Sequence, residues 1–412
     1  MRVLVVGAGI AGPTLAYWLA HHGHRPTLLE RAPRLRTGGY IVDFWGAAFD
    51  IAERIGILPD LRRRGYVIEE LRIVGDDGQR VGGFGADVFR RLTNDRYLSL
   101  PRSELSASIY ACLDDRTERI FGDEVSSLEE RHGEVRVRFA SGETRAFDLV
   151  VGADGLHSSI RALAFDAKEW HERYLGYEAA ACEVSGYRPR EEDVYVLYAT
   201  RGAQIGRFSM RDDRTMFLFV YTNDDAPAVP RDTAAAKARV RERFAHGRWE
   251  TSRILDAMSE SDDFYLDRVS QIRMDRWARG RIALVGDAAY CVSLLAGQGS
   301  ALAMIGATVL AGELHAARGD HVRAFERYEA RLRGFLEQKQ RAAARFAGAF
   351  APRTRVGLAF RNVVTRMMSV PVIADWAIGR DLRDEIEIPD YAHSASVEVI
   401  DPDDRRAQPG PV

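Results

Sequence analysis

The chain has few cysteines and almost no lysine. Its three cysteines, Cys112, Cys182 and Cys291, lie far apart and form no CxxC pair. This spacing excludes a disulfide framework and a thiolate metal site, and we expect a reducing, cytoplasmic location. Lysine occurs at only three positions, so nearly all 58 basic residues are arginine. Genome composition explains this bias most simply, and a preference for nucleotides or oxyanions is the alternative.

A strong net charge and zinc-type histidine motifs are also missing. The formal net charge is -2 at pH 7, so we expect no bulk attraction to nucleic acid or to anionic membranes. The ten histidines include no HExxH motif, and no metal site is predicted. His21, His22 and His24 cluster at the end of the first predicted helix, where basic side chains suit a C-terminal turn.

One long stretch without charge could be mistaken for a membrane span. Residues 288–312 carry no charged side chain and are long enough to cross a bilayer. Because Gly297, Gly299 and Gly306 interrupt the stretch, we predict a loop that enters a buried helix. We also expect no signal peptide, since the first predicted strand begins at Arg2.

The first thirty residues have the pattern of a nucleotide-binding βαβ unit. Arg2–Val6 is an apolar run typical of a buried strand, and GAGIAG at residues 7–12 leads directly into a helical pattern. These glycines allow a tight turn, close approach to a pyrophosphate and close packing, while the helix start offers free N–H groups. Glu30, at the end of the second strand, is placed to bind ribose hydroxyls. This unit alone does not distinguish FAD from NAD.

Two further predicted strands end in turns that combine glycine and aspartate. Residues 152–161 read GADGLHSSIR, where Asp154 suits an ordinary turn and the following hydroxyls and Arg161 suit a phosphate-rich ligand. Residues 286–290 read GDAAY, where Asp287 could bind a polyol chain or cap a helix.

Together, these three segments resemble the signatures of the class A flavoprotein monooxygenases, which have the p-hydroxybenzoate hydroxylase fold. The tetracycline-modifying monooxygenases are among the more similar members. The resemblance runs from residue 1 to about residue 350, and Arg102 matches the family's flavin-contacting arginine. The family commonly has one histidine and two prolines where this chain has Tyr290, Val292 and Leu294, and often asparagine where it has Ala301. These differences lie in a loop that passes along the flavin in the family.

The resemblance implies FAD as the bound cofactor and NADPH or NADH as a transient reductant. In the family, NAD(P)H reduces FAD, O2 adds at the flavin C4a carbon, and the resulting peroxide hydroxylates the substrate. The chemistry is centred on the flavin, so no catalytic side chain is predicted. The residues predicted to bind FAD are Gly7, Gly9, Ile10, Ala11, Gly12, Glu30, Arg31, Gly39, Arg102, Asp154, Asp287, Gly297 and Gly299. The candidate substrate-pocket residues are Asp43, Arg207 and Phe217.

We predict an α/β protein: a Rossmann-type FAD-binding domain, an inserted antiparallel β-sheet substrate domain and a C-terminal bridging helix. The alternating strands expected between about Tyr174 and Val220 indicate the inserted sheet. The predicted FAD-binding domain is discontinuous and comprises residues 1–70, 98–173 and 268–350. Residues 71–97 and 174–267 form the predicted substrate domain, residues 351–393 the bridging region, and residues 394–412 a disordered tail.

The function that these features predict is hydroxylation of an aromatic or polyketide-like small molecule by an FAD-dependent monooxygenase. A Baeyer–Villiger oxygenase is a related possibility. A non-redox enzyme such as a cyclase with structural FAD is an alternative from a different class, and a flavin-binding sequestration protein is a third. We expect a monomer or a homodimer that binds neither nucleic acid nor membranes. The substrate and the choice between NADH and NADPH cannot be read from the sequence.

Overall fold

The computed structural model describes residues 1–35, 40–225, 228–368, 370, 373 and 386–391. The strands, in chain order, are β1 (Arg2–Val6), β2 (Arg25–Glu30), β3 (Ile41–Trp45), β4 (Glu70–Val74), β5 (Arg80–Gly85), β6 (Tyr97–Pro101), β7 (Glu118–Phe121), β8 (Val125–Arg131), β9 (Glu134–Phe139), β10 (Thr144–Phe147), β11 (Leu149–Gly152), β12 (Trp170–Ser185), β13 (Val194–Thr200), β14 (Ala203–Ser209), β15 (Arg214–Thr222), β16 (Phe264–Met274), β17 (Ala278–Arg279) and β18 (Ile282–Leu284).

The helices cover the sheets and connect them. They are α1 (Ala11–His21), α2 (Ala47–Ile55), α3 (Leu58–Arg64), α4 (Ala86–Thr93), α5 (Arg102–Ala111), α6 (Ser159–Ala164), α7 (Thr233–Phe244), α8 (Thr251–Glu260), α9 (Asp287–Tyr290), α10 (Gly299–Ala316), α11 (His321–Phe350) and α12 (Arg355–Met367), and Leu294–Ala296 forms a 3-10 turn.

A six-stranded sheet with the order β17-β18-β11-β1-β2-β7 carries the nucleotide-binding unit. Its central strands β18, β11, β1, β2 and β7 are parallel. The side chains of β1 from Val3 to Val5 are fully buried, which is expected for a parallel strand covered on both faces. The predicted Rossmann-type βαβ arrangement is therefore confirmed.

A seven-stranded sheet with the order β16-β12-β15-β14-β13-β4-β5 forms the second large layer. β14 and β15 form a hairpin, and β4 and β5 join this sheet. Its outer face packs on α7 and α8 through the core of Phe217, Phe219, Val240 and Met258. We call the opposite side, which carries Tyr195, Gly206, Phe208, Met216 and Leu218, the inner face. Side chains alternate between the two faces because successive residues of a strand point in opposite directions.

A small two-stranded sheet, β3-β6, lies against the inner face. Trp45 and Tyr97 of the small sheet pack with Phe208 and Met216 of the large one. On their other side, Val42 and Phe44 join the core of the six-stranded sheet. The two-stranded sheet therefore lies between the two main layers.

The uncharged stretch near residue 300 forms a core helix. Among the described helices, α10 alone is long and apolar enough to cross a membrane, and 83% of it is buried inside the protein. The predicted loop and buried helix are thus confirmed, and packing within the protein explains the apolar composition.

The described C-terminal residues contact both main layers. α12 packs on β5, where Thr365 Oγ1 accepts a hydrogen bond of 3.2 Å from the Gly83 N–H. Tyr391 packs on Gly312 of α10 and donates a hydrogen bond of 2.9 Å to Glu313. Part of the predicted bridging region, residues 351–393, forms α12, which ends at Met367. Most of the second half of this region and the predicted tail, residues 394–412, lie outside the described residues.

Candidate functional site

The glycine loop between β1 and α1 leaves no room for side chains. Gly7 has φ +109°, and a Cβ atom there would lie 2.6 Å from the carbonyl oxygen of Ala153. A Cβ atom on Gly12 would lie 1.8 Å from the carbonyl oxygen of Gly7. Both glycines are therefore required by the tight packing of the loop, as the motif predicts.

The N-terminus of α1 is open to an anion. No side chain caps it, and its first turn contains no acidic residue. Ile10 and Ala11 are buried, so they contribute backbone rather than exposed side chains to the loop. Free N–H groups and the positive end of the helix dipole favour a phosphate at this position.

Glu30 fixes the same loop from the end of β2. One carboxylate oxygen accepts a 2.8 Å hydrogen bond from the Ala8 N–H, and the other accepts a 2.9 Å bond from the Ala32 N–H. Each oxygen can accept a further hydrogen bond, so Glu30 could also bind a ribose hydroxyl. The side chain of Arg31 is exposed, and this structure gives it no contact with the loop.

Arg102 lies beside the glycine loop, and Asp287 lies near Arg102. Arg102 begins α5, and a Cβ atom on Gly9 would lie 3.4 Å from its Nη2 atom. Asp287 begins α9, and a Cβ atom on Gly299 would lie 3.9 Å from its Oδ1 atom. Burial raises the pKa of Asp287, and the positive charge of Arg102 opposes that shift. The structure therefore brings Gly9, Arg102, Asp287 and Gly299 together.

These residues fit FAD. The glycine loop is too tight for a Cβ atom, the helix start is uncapped, and one cation and one carboxylate flank it. The loop and Arg102 would hold the pyrophosphate, Glu30 the ribose, and Asp287 the ribityl hydroxyls. Gly297 has φ +66°, and nothing lies within 4 Å of the position that a Cβ atom would take, which leaves room for a planar ring. Gly39 lies outside the described residues.

The second glycine-aspartate segment is organised differently. Asp154 accepts hydrogen bonds from Ser158 Oγ, the N–H and the hydroxyl of Ser159, and the Ile160 N–H, at 2.5 to 3.2 Å. The buried Arg161 donates to the carbonyl oxygens of Ala288 and Leu156. The start of α6 is therefore already capped by the protein, unlike the start of α1. These contacts give Asp154 a structural role, and its contact with FAD stays a prediction.

Buried contacts hold the loop that departs from the family pattern. The Tyr290 side chain points into the core, with its hydroxyl 3.3 Å from that of Tyr328 and against Gly306. Gln340 donates to the carbonyl oxygens of Tyr290 and Cys291 at 3.2 and 3.1 Å, and Gln271 donates to that of Val292 at 2.9 Å. Neither glutamine is recognisable from the sequence, because their pairing with this loop depends on the tertiary structure.

The structure separates the three candidate pocket residues. Asp43 points from β3 toward the inner face of the seven-stranded sheet and is half-buried. Arg207, only 2% exposed, lies on the outer face, where it forms ion pairs with Glu191 and Glu250. Phe217 is fully buried on that same outer face. The placement of Arg207 and Phe217 argues against a pocket role for both.

Asp43 has two partners that the sequence analysis did not identify. Its Oδ1 atom accepts hydrogen bonds from the hydroxyls of Tyr97 at 2.7 Å and Ser99 at 2.6 Å. Burial raises the pKa of Asp43, and these two hydrogen bonds oppose the shift. The alternation of Tyr97 and Ser99 along one strand places both on one face, but only the register with β3 shows that this face meets Asp43.

Comparison with known proteins agrees with this geometry. Residues 1–340 match the family model described as FAD binding domain. A flavin-dependent monooxygenase of Legionella longbeachae is 34% identical over 341 residues, which covers 83% of this chain and 87% of the relative. The chain belongs to the class A FAD-dependent monooxygenases.

Solved structures of class A monooxygenases share the fold. The tetracycline destructase Tet(51) superposes with a TM-score of 0.81 at 32% identity, covering 95% of this chain and 99% of that one. The R204Q variant of HpxO from Klebsiella pneumoniae, solved with FAD, superposes with a TM-score of 0.77 at 22% identity, covering 93% and 98%. The expected fold class and FAD as the cofactor are therefore confirmed.

Proposed function

We propose that this class A monooxygenase uses NADH or NADPH and O2 to hydroxylate an aromatic or polyketide-like small molecule. The observation that carries the proposal is the position of Arg102 beside Gly9 of the glycine loop, with Asp287 near Arg102, within a chain that belongs to this monooxygenase family. Bound FAD would accept electrons from the nicotinamide and activate O2. The part of this chain is to bind, orient and shield the reactants.

The substrate would lie in the crevice between the two-stranded sheet and the inner face of the seven-stranded sheet. Asp43 comes from one wall, and the half-buried Tyr195 and Leu218 come from the other. In this placement, the packing of Trp45 and Tyr97 on Phe208 and Met216 would close one end of the crevice. Such a closed, largely apolar wall suits a planar ring and excludes water from the reaction.

The test begins with purified protein that contains FAD. We expect NADPH or NADH to bleach the flavin absorbance under anaerobic conditions, and admission of oxygen to restore it. With a substrate, one O2 should be consumed for each NAD(P)H oxidised, and the product should contain one oxygen atom from 18O2. An FAD band that neither donor bleaches would overturn the proposal and favour structural FAD, in which case cyclisation assays would follow.

The loop expected beside the flavin has Tyr290, Val292 and Leu294 in place of the family's usual residues. The coupling of NAD(P)H oxidation to substrate oxygenation should therefore be measured. We expect the core contacts of Tyr290 and the hydrogen bonds from Gln271 and Gln340 to hold this loop in place without the prolines. A large excess of hydrogen peroxide over product would show that the loop does not exclude water adequately.

A further inference from the structure

The carboxylate of Asp43 is held rigidly by one of its two oxygens. Asp43 on β3 lies directly opposite Ser99 on β6, and Tyr97 lies two residues earlier on the same face. Both hydroxyls are within 2.7 Å of Oδ1, and they are 2.8 Å from each other. Because a carboxylate oxygen has two lone-pair sites, these contacts satisfy Oδ1 and fix the direction of the whole group.

The second oxygen of Asp43 has no such partner. In the described part of the chain, no residue donates a hydrogen bond to Oδ2, although Oδ1 receives two. Nor is Oδ2 among the buried side-chain atoms without a partner, so it has some exposure to solvent. When a bound substrate displaces water from this ionised oxygen, the substrate must supply a donor, because leaving the oxygen unpaired is costly.

The facing wall offers a second polar atom. Tyr195 is half-buried and stacks on Phe208 with ring centroids 5.7 Å apart, and its ring lies over Gly206. Its hydroxyl has no hydrogen-bond partner among the described residues. Because this hydroxyl is not in the set of fully buried atoms without a partner, it has some exposure to solvent. Burial raises the pKa of Tyr195, and the negative charge of Asp43 raises it further, so the hydroxyl stays protonated.

We propose that Asp43 selects substrates whose ring carries a hydrogen-bond donor, namely a phenolic or enolic hydroxyl or an amino group, and rejects rings that carry a carboxylate there. This inference rests on the proposed function, since it places the substrate in the same crevice. Asp43 Oδ2 accepts the donor of the substrate. A site built to pair with a hydroxyl binds an analogue without it poorly, because its own polar group is then left unpaired. A carboxylate at this position would meet the like charge of Asp43 in a poorly hydrated site.

The experiment measures binding of matched ligands to the FAD-containing protein by ligand-observed NMR, without turnover. The three series are phenol, anisole and benzoate; 2-naphthol, 2-methoxynaphthalene and 2-naphthoate; and the corresponding 2-substituted anthracenes. In at least one series, the hydroxyl compound should bind about tenfold or more tightly than its methyl ether, as expected for a hydrogen bond to a charged group. The carboxylate should bind most weakly.

Asp43→Asn should remove the preference for the hydroxyl over the ether, because an amide no longer offers a charged acceptor. Asp60→Asn is the matched control. Asp60 is also a carboxylate bonded by a serine, with Ser108 Oγ at 2.7 Å, but it lies on α3, so the preference should be unchanged.

Equal binding of hydroxyl and ether in every series, preferred binding of a carboxylate, or no binding of any hydroxyl compound would overturn the inference. The wild-type series decides this even if Asp43→Asn does not fold. These outcomes are separate from failure of the proposed function, which appears as a flavin that NAD(P)H does not reduce.

Discussion

Glu30 Oε2 accepts a hydrogen bond from the backbone N–H of Ala8 at a distance of 2.8 Å. This contact connects the end of β2 to the glycine loop at the end of β1, so one carboxylate shapes the loop and faces the expected ribose position. The sequence places Glu30 at a strand end. The structure shows that Glu30 also supports the glycine loop through a direct hydrogen bond to its backbone.

We therefore expect Glu30→Ala to weaken FAD binding by about tenfold or more, because a charged hydrogen bond to the loop and a ribose acceptor are both lost. Fluorescence titration of the apoprotein with FAD measures the change. Glu53→Ala is the control, since Glu53 lies on α2 with 64% of its side chain exposed and should leave the affinity unchanged. Equal affinities in both variants would contradict the assigned role.

Asp287→Ala should lower the fraction of purified protein that contains flavin. Asp287 is the only acidic residue in the first turn of α9, and it lies close to Arg102 and Gly299. The ratio of absorbance at the flavin band to that at the protein band measures the occupancy. Asp256→Ala, on the exposed surface of α8, serves as the control. Fully yellow protein after Asp287→Ala would count against the site.

Gly12→Ala should destabilise the fold by about 1–3 kcal/mol or more, because its Cβ atom would lie 1.8 Å from the carbonyl oxygen of Gly7. Gly334→Ala is the matched helical control: nothing lies within 4 Å of its Cβ position on α11. It should be neutral or stabilise the protein by up to about 1 kcal/mol, since alanine favours helix more than glycine. Urea unfolding of both variants measures the difference, and similar free energies of unfolding would disprove it.

Stability should decline as the pH falls from 6.5 toward 4. Burial lowers the pKa of His22 and of His24 to about 4, with further contributions from His315 and from the N-terminal amino group, respectively. The unfolded chain then binds protons at a higher pH than the folded one, so acid favours unfolding, while above pH 6.5 these two groups contribute no pH dependence.

Urea unfolding of the wild type and of His22→Gln at pH 7.5, 6 and 5 tests the sign. The variant should lose less stability over this range, because glutamine does not titrate. His171→Gln, at an exposed position on β12, should follow the wild type. A wild-type stability that rises toward pH 5 would show that the histidines act in the opposite direction.

The features that the sequence predicted well are those whose chemistry is local. GAGIAG, Glu30 and the Asp287 turn each follow a strand within a few residues, so their positions can be read from the chain. Arg102 was placed only through the family resemblance, and the structure brings it beside Gly9.

The features that the sequence could not supply depend on how distant elements meet. The alternation of side chains along each strand places Arg207 and Phe217 on one face of the sheet, and the two residues do lie opposite each other in the β14–β15 register. This alternation does not show that α7 and α8 cover that face. The partners of Asp43 likewise follow from the register of β3 with β6. The hydrogen bonds from Gln271 and Gln340 follow from the packing of β16 and α11 on the loop.

The order of the six-stranded sheet has a consequence for synthesis of the protein. β1, β11 and β18 are neighbours in space, yet about 280 residues of chain separate the first from the last. A nascent chain that has not yet delivered β18 exposes one edge of β11, and an unpaired edge favours association with other chains. Because Asp287 follows β18 in the chain, the predicted FAD site also lacks this residue until β18 has left the ribosome, and arrest before that point should yield chains that depend on chaperones.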